Sequence, residues 1–224
     1  MQSAPVMTVS RPAGRRVWDL PTRIFHWTLV ALVVTSFVTA KVGGLWMDWH
    51  MRSGYAVLAL VLFRILWGFA GSQTARFAGF IHPPGVVLEY LRGRVLSFAG
   101  HSPPGGWSVL VLLVLLLVQS STGLFANDGS FTEGPLARLV SGATGDRLST
   151  IHRYGEWAIL AMVGLHVAAI AYYAVVRREP LVQAMITGDH PAARVDVEDG
   201  LLTRLRALVL AGLACSLVAF VVTL

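Results

Sequence analysis

Long apolar runs alternate with short polar connections along the whole chain. Each of five runs approaches the roughly 20 apolar residues that a helix needs to cross a bilayer. They are residues 24–40, 53–71, 107–126, 157–176 and 207–224. Hydrocarbon offers the backbone no hydrogen-bond partner, so such runs are expected to be helices. The pattern predicts an all-α integral membrane protein: a four-helix transmembrane bundle followed by a fifth, C-terminal transmembrane helix.

The polar connections set the expected boundaries within the chain. We predict an N-terminal segment over residues 1–16, a four-helix membrane domain over 17–178, a linker over 179–203 and the last helix over 204–224. The first run begins after more than twenty residues and no small-residue cleavage site follows it, which argues against a cleavable signal peptide. Residues 127–150 are rich in Gly, Ser and Thr and are expected to form a loop, and residues 86–96 a short amphipathic piece.

Composition supports a membrane environment. Charged residues make up 13% of the chain, against roughly 25% in ordinary globular domains. The net charge of +6 is not gathered on one amphipathic face, so a nucleic-acid partner is not expected. Membrane lipid is the expected surrounding of the chain. The single cysteine, Cys215, lies in an apolar run and excludes disulfides within the chain, a covalent c-type haem attachment and a cysteine-bound cluster.

The distribution of Lys and Arg predicts the orientation, because cytoplasmic connections carry an excess of these residues. Of the 18 Lys and Arg residues, 12 fall on the side of the N-terminus, five on the other side, and Arg64 lies inside a run. We therefore expect a multi-pass membrane protein with a cytoplasmic N-terminus, a cytoplasmic N-terminal segment and a cytoplasmic linker.

Four histidines are the strongest candidates for chemistry. His26, His50, His152 and His166 lie within predicted helices or at their mouths, where an ionisable side chain is costly and is usually functional. The remaining three, His82, His101 and His190, lie in cytoplasmic connections beside or near proline, and a structural role is favoured for them.

The spacing on the fourth helix predicts two stacked cofactors. His152 and His166 are separated by nearly four turns, or about 21 Å of rise, on almost the same face. A single metal is too small to contact both. Depth matching pairs His50 with His152 near the outer surface and His26 with His166 in the inner half. The histidines are thus predicted axial ligands of two haem irons.

Three further residues are assigned to the cofactors on position alone. Gly54 follows His50 by four residues and Gly155 follows His152 by three, so either could let a flat porphyrin lie close to the helix. Arg64 shares the face of His50 at the depth of the inner pair. A buried cation needs an anion, and no Asp or Glu lies within the apolar runs, so a haem propionate is expected there. A lipid head group or a backbone carbonyl is the alternative.

Packing, zinc binding and proton relay fit the four histidines less well than haem ligation. Hydrogen-bonded packing is common for one intramembrane histidine, but four that pair by depth argue against it. Zinc is disfavoured because the chain has no H-E-x-x-H motif and paired histidines at two depths do not form a three-ligand catalytic site. Proton relays usually contain intramembrane carboxylates, which the apolar runs lack.

Several stretches resemble the bacterial cytochrome b561 family, which includes the b-type cytochrome subunits of nickel–iron hydrogenases. The resemblance covers roughly residues 16–176. The stretches are VWDLPTRIFHW at 17–27, HMRSGY at 50–55, RILWGF at 64–69, GHSPPGG at 100–106, IHRYGE at 151–156 and GLH at 164–166. It implies a four-helix haem-binding core with two haem b groups, whose axial ligands match the four histidines named above. It also implies electron exchange between membrane quinone and a redox partner.

The expected function is therefore electron transfer by a dihaem b-type cytochrome, between the quinone pool and a hydrogenase-type subunit or a c-type cytochrome. The chain shows no residues for further substrate chemistry, so an electron-transfer subunit is favoured over a stand-alone enzyme. The alternatives are a self-sufficient quinone-linked oxidoreductase, such as a superoxide oxidase, and a non-haem transporter or scaffold. The fifth helix suggests docking of a partner or of a second copy in a homodimer.

Overall fold

The computed structural model describes residues 15–94, 100–129, 132–191, 193 and 196–224. Within these ranges the chain forms helices and two short strands. The helices are α1 (Leu20–Val42), α2 (Met47–Ala70), α3 (Phe77–Phe80), α4 (Pro84–Leu91), α5 (Pro103–Gly123), α6 (Gly142–Tyr172), α7 (Leu181–Thr187) and α8 (Leu201–Val222). The strands are β1 (Arg15–Arg16) and β2 (Asp189–His190). Most of the predicted N-terminal segment, and residues 95–96 of the predicted amphipathic piece, lie outside the described residues.

All five apolar runs are helices of membrane-spanning length and composition, which confirms the predicted class. Helix α1, for example, has 23 residues and is about 35 Å long at 1.5 Å per residue. Side chains cap three of the five: the side chains of Asp19, Ser102 and Ser141 accept hydrogen bonds from backbone N–H groups at the starts of α1, α5 and α6. These caps satisfy N–H groups that have no partner within the helix.

The fourth span begins earlier than the apolar pattern predicts. Helix α6 starts at Gly142, so the predicted loop over residues 127–150 ends nine residues sooner than expected. The first turns of α6 are polar, and a search for apolar runs does not detect them. The predicted amphipathic piece corresponds to α4, which starts at Pro84 and ends at Leu91.

Helix α2 is the centre of the bundle. It packs against α1, α5 and α8, whereas α6 packs mainly against α5. Val61 and Trp67 of α2 are fully buried, and the same core cluster contains the buried side chains of Phe25 of α1, Leu116 of α5 and Ala214 of α8. The fifth helix is therefore attached to the outside of the four-helix core through α2.

The outward faces of the long helices are apolar. Val34 of α1, Leu165 of α6 and Leu208 of α8 are each more than half exposed. Large exposed apolar areas of this kind are not stable in water and match a lipid environment. With its five spans, the chain is a multi-pass membrane protein.

The N-terminal strand and the C-terminus lie at opposite ends of the bundle. Strand β1 pairs in antiparallel fashion with β2 in the linker, and Arg16 makes ion pairs with Asp189 at 3.2 Å and Asp199 at 2.8 Å. At the other end, Arg138 between α5 and α6 donates a hydrogen bond to the carbonyl oxygen of Leu224. The N-terminal strand and the linker therefore share one side, and the C-terminus lies on the other.

Candidate functional site

The first pair of predicted ligands lies where α2 begins. The imidazole rings of His50 on α2 and His152 on α6 have centroids 6.0 Å apart, with their planes inclined at 76°. Two imidazoles that bind one metal at about 2.0–2.1 Å per nitrogen have ring centroids roughly 6 Å apart. The structure therefore brings together, at the spacing of one shared metal, the two histidines that depth matching places near the outer surface.

Hydrogen bonds to the backbone orient both rings. Nδ1 of His50 lies 2.8 Å from the carbonyl oxygen of Ser36, and Nδ1 of His152 lies 2.9 Å from that of Gln119. A carbonyl oxygen can only accept, so Nδ1 carries the proton in each ring. Nε2 is then left with a lone pair, which is the form that binds a metal, and such bonds from the second ring nitrogen are typical of metal-ligating histidines.

A cavity of about 590 Å³ opens beside the two rings, between α1, α2, α5 and α6. This volume lies within the roughly 300–1,000 Å³ of pockets that bind cofactor-sized molecules. Apolar side chains such as Val33, Leu116 and Ile159 line much of it. At its mouth, Lys41 of α1 forms a 2.8 Å ion pair with Glu156 of α6. The cavity suits a flat, largely apolar group held between the two histidines.

Glycines shape this cavity in different ways. Gly54 lines it, and no described atom would lie within 4 Å of a Cβ built there, so the predicted open space beside the helix is present. Gly123 of α5 was not predicted: a Cβ there would lie 2.8 Å from Cε1 of His152. The sequence signal for this position was that Gly123 follows Gln119 by four residues, which places both on the same face of α5.

Gly155 has a different neighbour from the one expected. A Cβ at this position would overlap the Oε1 atom of Gln119. The missing side chain thus makes room for an amide that donates from Nε2 to the carbonyl oxygen of His152 at 2.8 Å. The structure places a helix–helix contact at Gly155, and a porphyrin face beside this glycine stays a prediction.

The second pair of predicted ligands lies nearer the other end of the bundle. His26 on α1 and His166 on α6 are close enough for their charges to interact. Both side chains are half-buried, and the Nδ1 atom of His26 is buried with no hydrogen-bond partner among the described residues. The structure therefore places His26 and His166 within electrostatic range of each other, and among the described residues His26 lacks the backbone hydrogen bond that orients each ring of the outer pair.

Arg64 is buried at the end of the bundle that holds the inner pair, within electrostatic range of His101. The residue is 2% exposed, and its guanidinium carbon lies 5.4 Å from the ring centroid of Phe77 and 5.6 Å from that of Phe80. Within the described part of the chain, its Nη1 atom has no hydrogen-bond partner. An aromatic face stabilises a cation only modestly, so a nearby anion would be a stronger partner.

A carboxylate that the sequence argument missed lies near this arginine. Asp19 is 0% exposed and close enough for its charge to act on Arg64. Its oxygens already accept hydrogen bonds from the Thr22 backbone N–H at 2.6 Å, the Trp67 indole at 3.3 Å and the Ser72 hydroxyl. Asp19 precedes the first apolar run, so the absence of carboxylates within the runs does not extend to it, although Asp before Leu-Pro is a helix-start signal.

His101 also belongs to this end of the bundle, although the sequence favoured a purely structural role for it. Its ring packs at 4.7 Å from the ring of Trp18 and 4.5 Å from that of Phe80. Burial, together with the nearby charge of Arg64, lowers the pKa of His101 to about 3, so the ring is neutral. His26 and His166 are also within electrostatic range. The surrounding GHSPPGG motif was the available signal.

The described residues thus fit an iron porphyrin at the outer pair, on the evidence of ring spacing, proton position and cavity. When bound, haem supplies one-electron redox chemistry. The protein supplies imidazole ligands and apolar walls, and these are the features that set a haem potential.

Comparison with known proteins agrees with this chemistry. The chain is 23% identical, over 81% of its length and 83% of the relative, to a Rhodobacter capsulatus protein named "Probable Ni/Fe-hydrogenase B-type cytochrome subunit". A protein of the same name from Bradyrhizobium diazoefficiens is 22% identical over 77% of this chain and 84% of the relative. A third, from Rhizobium leguminosarum, is 20% identical over 77% and 87%. No solved structure matches significantly.

A family model described as prokaryotic cytochrome b561 matches residues 17–188. The match covers the four long helices of the core and all four paired histidines. The predicted resemblance is therefore confirmed, and the chain belongs to the prokaryotic cytochrome b561 family of electron-transferring membrane proteins that bind b-type haem.

Proposed function

We propose that this b-type cytochrome binds two haems and carries electrons across the bacterial inner membrane, between the quinone pool and a redox-protein partner. The observation that carries the proposal is the outer pair. His50 and His152 have ring centroids 6.0 Å apart, and each donates from Nδ1 to a backbone carbonyl. This arrangement leaves both Nε2 atoms available to one iron.

The second haem is assigned to His26 and His166. His166 is 14 residues beyond His152 on the continuous helix α6, or about 21 Å along its axis. One iron is too small to be shared across that distance, so the inner pair needs a cofactor of its own. With two haems at two depths, the protein would have one redox site near each surface of the membrane.

The residues around the histidines would orient the axial imidazoles, leave room for the porphyrins and balance the charge of a propionate. The carbonyl oxygens of Ser36 and Gln119 keep the outer rings oriented, and Gly54 and Gly123 leave room beside them. Arg64 provides the buried cation for a propionate of the inner haem. The apolar cavity walls exclude water that could compete with the histidines for the iron. They also lower the local dielectric constant, which strengthens the interaction of each buried charge with the haem.

The names of the relatives support a hydrogenase-type partner. Each is named as a B-type cytochrome subunit of a Ni/Fe-hydrogenase, and a c-type cytochrome is the other candidate. We propose that the chain is an electron-transfer subunit, with its N-terminus and linker in the cytoplasm. Membrane quinone is the proposed second redox partner, and a second copy of the chain could pack on α8.

A self-sufficient quinone-linked oxidoreductase, such as a superoxide oxidase, is less well supported. Attraction of superoxide would require a net positive mouth. Lys41 and Arg153 line the outer cavity, but so do Asp128 and Glu156, and Lys41 is paired with Glu156. The formal charges at the mouth balance, so the charge distribution there gives no reason to prefer this function.

The test is transmembrane electron transfer by the purified chain in liposomes. Ferricyanide is trapped inside, dithionite is added outside, and oxidation and reduction of the haems are followed by absorbance. The wild type should contain two haems b per chain by pyridine haemochrome analysis and should reduce the trapped ferricyanide. His26→Ala and His50→Ala should each stop that reduction, and protein-free liposomes set the background. Fewer than about one and a half haems per chain in the wild type would contradict the proposal.

A further inference from the structure

Three buried nitrogens that find no hydrogen-bond partner among the described residues lie at the inner end of the bundle, on residues that are linked because His26 and Arg64 are both within electrostatic range of His101. They are Nδ1 of His26, Nη1 of Arg64 and Nδ1 of His101. An unsatisfied buried polar group is costly, and native proteins normally pair such groups. Three such nitrogens, contributed by α1, α2 and the segment before α5, indicate a missing acceptor.

The acceptor must be negatively charged. Arg64 is a permanent cation at 2% exposure, and a buried charge needs a partner of opposite sign. Asp19 is close, but its oxygens accept from Thr22, Trp67 and Ser72 rather than from the guanidinium. A neutral acceptor, such as a quinone carbonyl, would leave the guanidinium without an anion in direct hydrogen-bonding contact, because Asp19 acts on it only through its charge. A carboxylate would satisfy both requirements.

His101 and Arg64 are held against the same aromatic ring. The His101 ring centroid lies 4.5 Å from that of Phe80, and the guanidinium carbon of Arg64 lies 5.6 Å from it. The two polar groups come from different elements and both contact Phe80, and the charge of Arg64 is close enough to act on His101. A carboxylate has two oxygens and can accept from two such donors at once.

The segment that carries His101 is anchored on both sides. Gly100 has φ of +87°, and a Cβ there would press on Trp18 and Thr74 at 3.3–3.4 Å. Thr74 in turn donates to the carbonyl oxygen of Val17 at 2.5 Å. Ser102 caps α5 by accepting from the backbone N–H of Gly105 at 3.3 Å. This anchoring fixes the position of the His101 ring relative to α1 and α2.

We propose that His101 is a positioning residue of the inner haem, whose Nδ1–H donates a hydrogen bond to the propionate that Arg64 neutralises. The inference rests on the proposed function, because it requires a haem between His26 and His166. It assigns a role to the GHSPPGG motif beyond the packing of the segment. His101 is not an axial ligand in this assignment.

The test compares His101→Phe with His101→Asn in the purified full chain. Phenylalanine keeps a flat ring between Trp18 and Phe80 but has no donor, whereas the amide nitrogen of asparagine can replace Nδ1–H. His82→Phe is the matched control, since it removes another histidine from the same side of the bundle. Three readouts are taken: the two low-spin absorbance components, their midpoint potentials, and the rate of haem transfer to apomyoglobin.

We expect His101→Phe to keep both low-spin components and to lower the potential of the inner one only. A propionate that loses this hydrogen bond keeps more of its negative charge, which favours the ferric state, and each tenfold change in that preference is about 59 mV for a one-electron couple. Inner haem should also transfer to apomyoglobin several-fold faster. His101→Asn should restore both values towards the wild type, and His82→Phe should leave them unchanged.

Three contrary results would distinguish failure of the role of His101 from failure of the proposed dihaem function. If the wild type holds both haems and His101→Phe changes neither the inner potential nor the transfer rate, His101 only packs the segment and the inference fails. Loss of the inner low-spin component in His101→Phe, with rescue absent in His101→Asn, would make His101 an axial ligand and also overturn it. A wild type lacking the inner component would overturn both the inference and the dihaem function.

Discussion

Gln119 and His152 are joined by two reciprocal hydrogen bonds between α5 and α6. Nδ1 of His152 donates to the carbonyl oxygen of Gln119 at 2.9 Å, and Nε2 of Gln119 donates to the carbonyl oxygen of His152 at 2.8 Å. The first bond sets the tautomer of the histidine, and the second ties the helix turn that carries it. Together they present Nε2 of His152 towards the cavity that it shares with His50.

The pairing of the four histidines predicts a specific pattern of spectral loss. Replacing His50 or His152 with alanine should remove the low-spin state of one component, because a haem that loses one axial ligand becomes five-coordinate. Replacing His26 or His166 should affect the other component. A double variant within one pair should resemble either single variant, and a double variant across the pairs should lose both signals. Absorbance and EPR spectra measure the two components. If His50→Ala and His166→Ala damaged the same component, the pairing would be refuted.

Gly123→Ala should weaken the outer site. The new Cβ would lie 2.8 Å from Cε1 of His152, so the ring must turn away from the carbonyl of Gln119. Loss of such an outer-shell contact typically costs about 10–100-fold in affinity for the bound metal group. Haem titration of the apoprotein measures this loss. Gly212→Ala on α8 meets open space among the described residues and serves as the control, with unchanged haem binding expected.

Gly54→Leu should also reduce occupancy of the outer site, for a different reason. Gly54 faces the open cavity, and a leucine there would occupy space that the porphyrin needs. Gly212→Leu places the same side chain on an open face of α8 and should leave both components intact. Equal haem content in the two variants, measured by pyridine haemochrome, would show that the porphyrin does not lie against Gly54.

Arg64→Gln should lower the potential of the inner component, because the buried positive charge that favours the reduced haem is removed. Each tenfold change in the redox equilibrium is about 59 mV. Arg64→Lys keeps the charge but not the forked donor geometry, so its shift should be smaller. Potentiometric titration measures both, and the outer component serves as the internal control. A shift confined to the outer component would place Arg64 beside the other haem.

The linker and the C-terminus should be accessible from opposite sides of the membrane. The linker pairs with the N-terminal strand, and Leu224 contacts Arg138 at the other end. A reporter fused within the linker should therefore be active in the cytoplasm, whereas a reporter fused after Leu224 should be active only outside it. Activity of both fusions on one side would contradict five spans, and inversion of both would contradict the proposed orientation.

Sequence alone determined the class and the five spans of this protein, and it predicted the pairing of the four histidines. Apolar length is a local property, because a helix in hydrocarbon satisfies its own backbone whatever its neighbours are. The interval between His152 and His166 is likewise set by helix geometry, so their stacking at two depths followed without knowledge of packing.

Only the tertiary structure decided which atoms surround those histidines. The Gln119 amide beside Gly155, the ring of His152 against Gly123, and the positions of Asp19 and His101 near Arg64 all involve elements far apart in the chain. Such contacts depend on how the helices rotate and how the connecting segments fold back, and neither leaves a periodic trace in the sequence. Helix period places a side chain on a face, but the packing of neighbouring elements decides what that face meets.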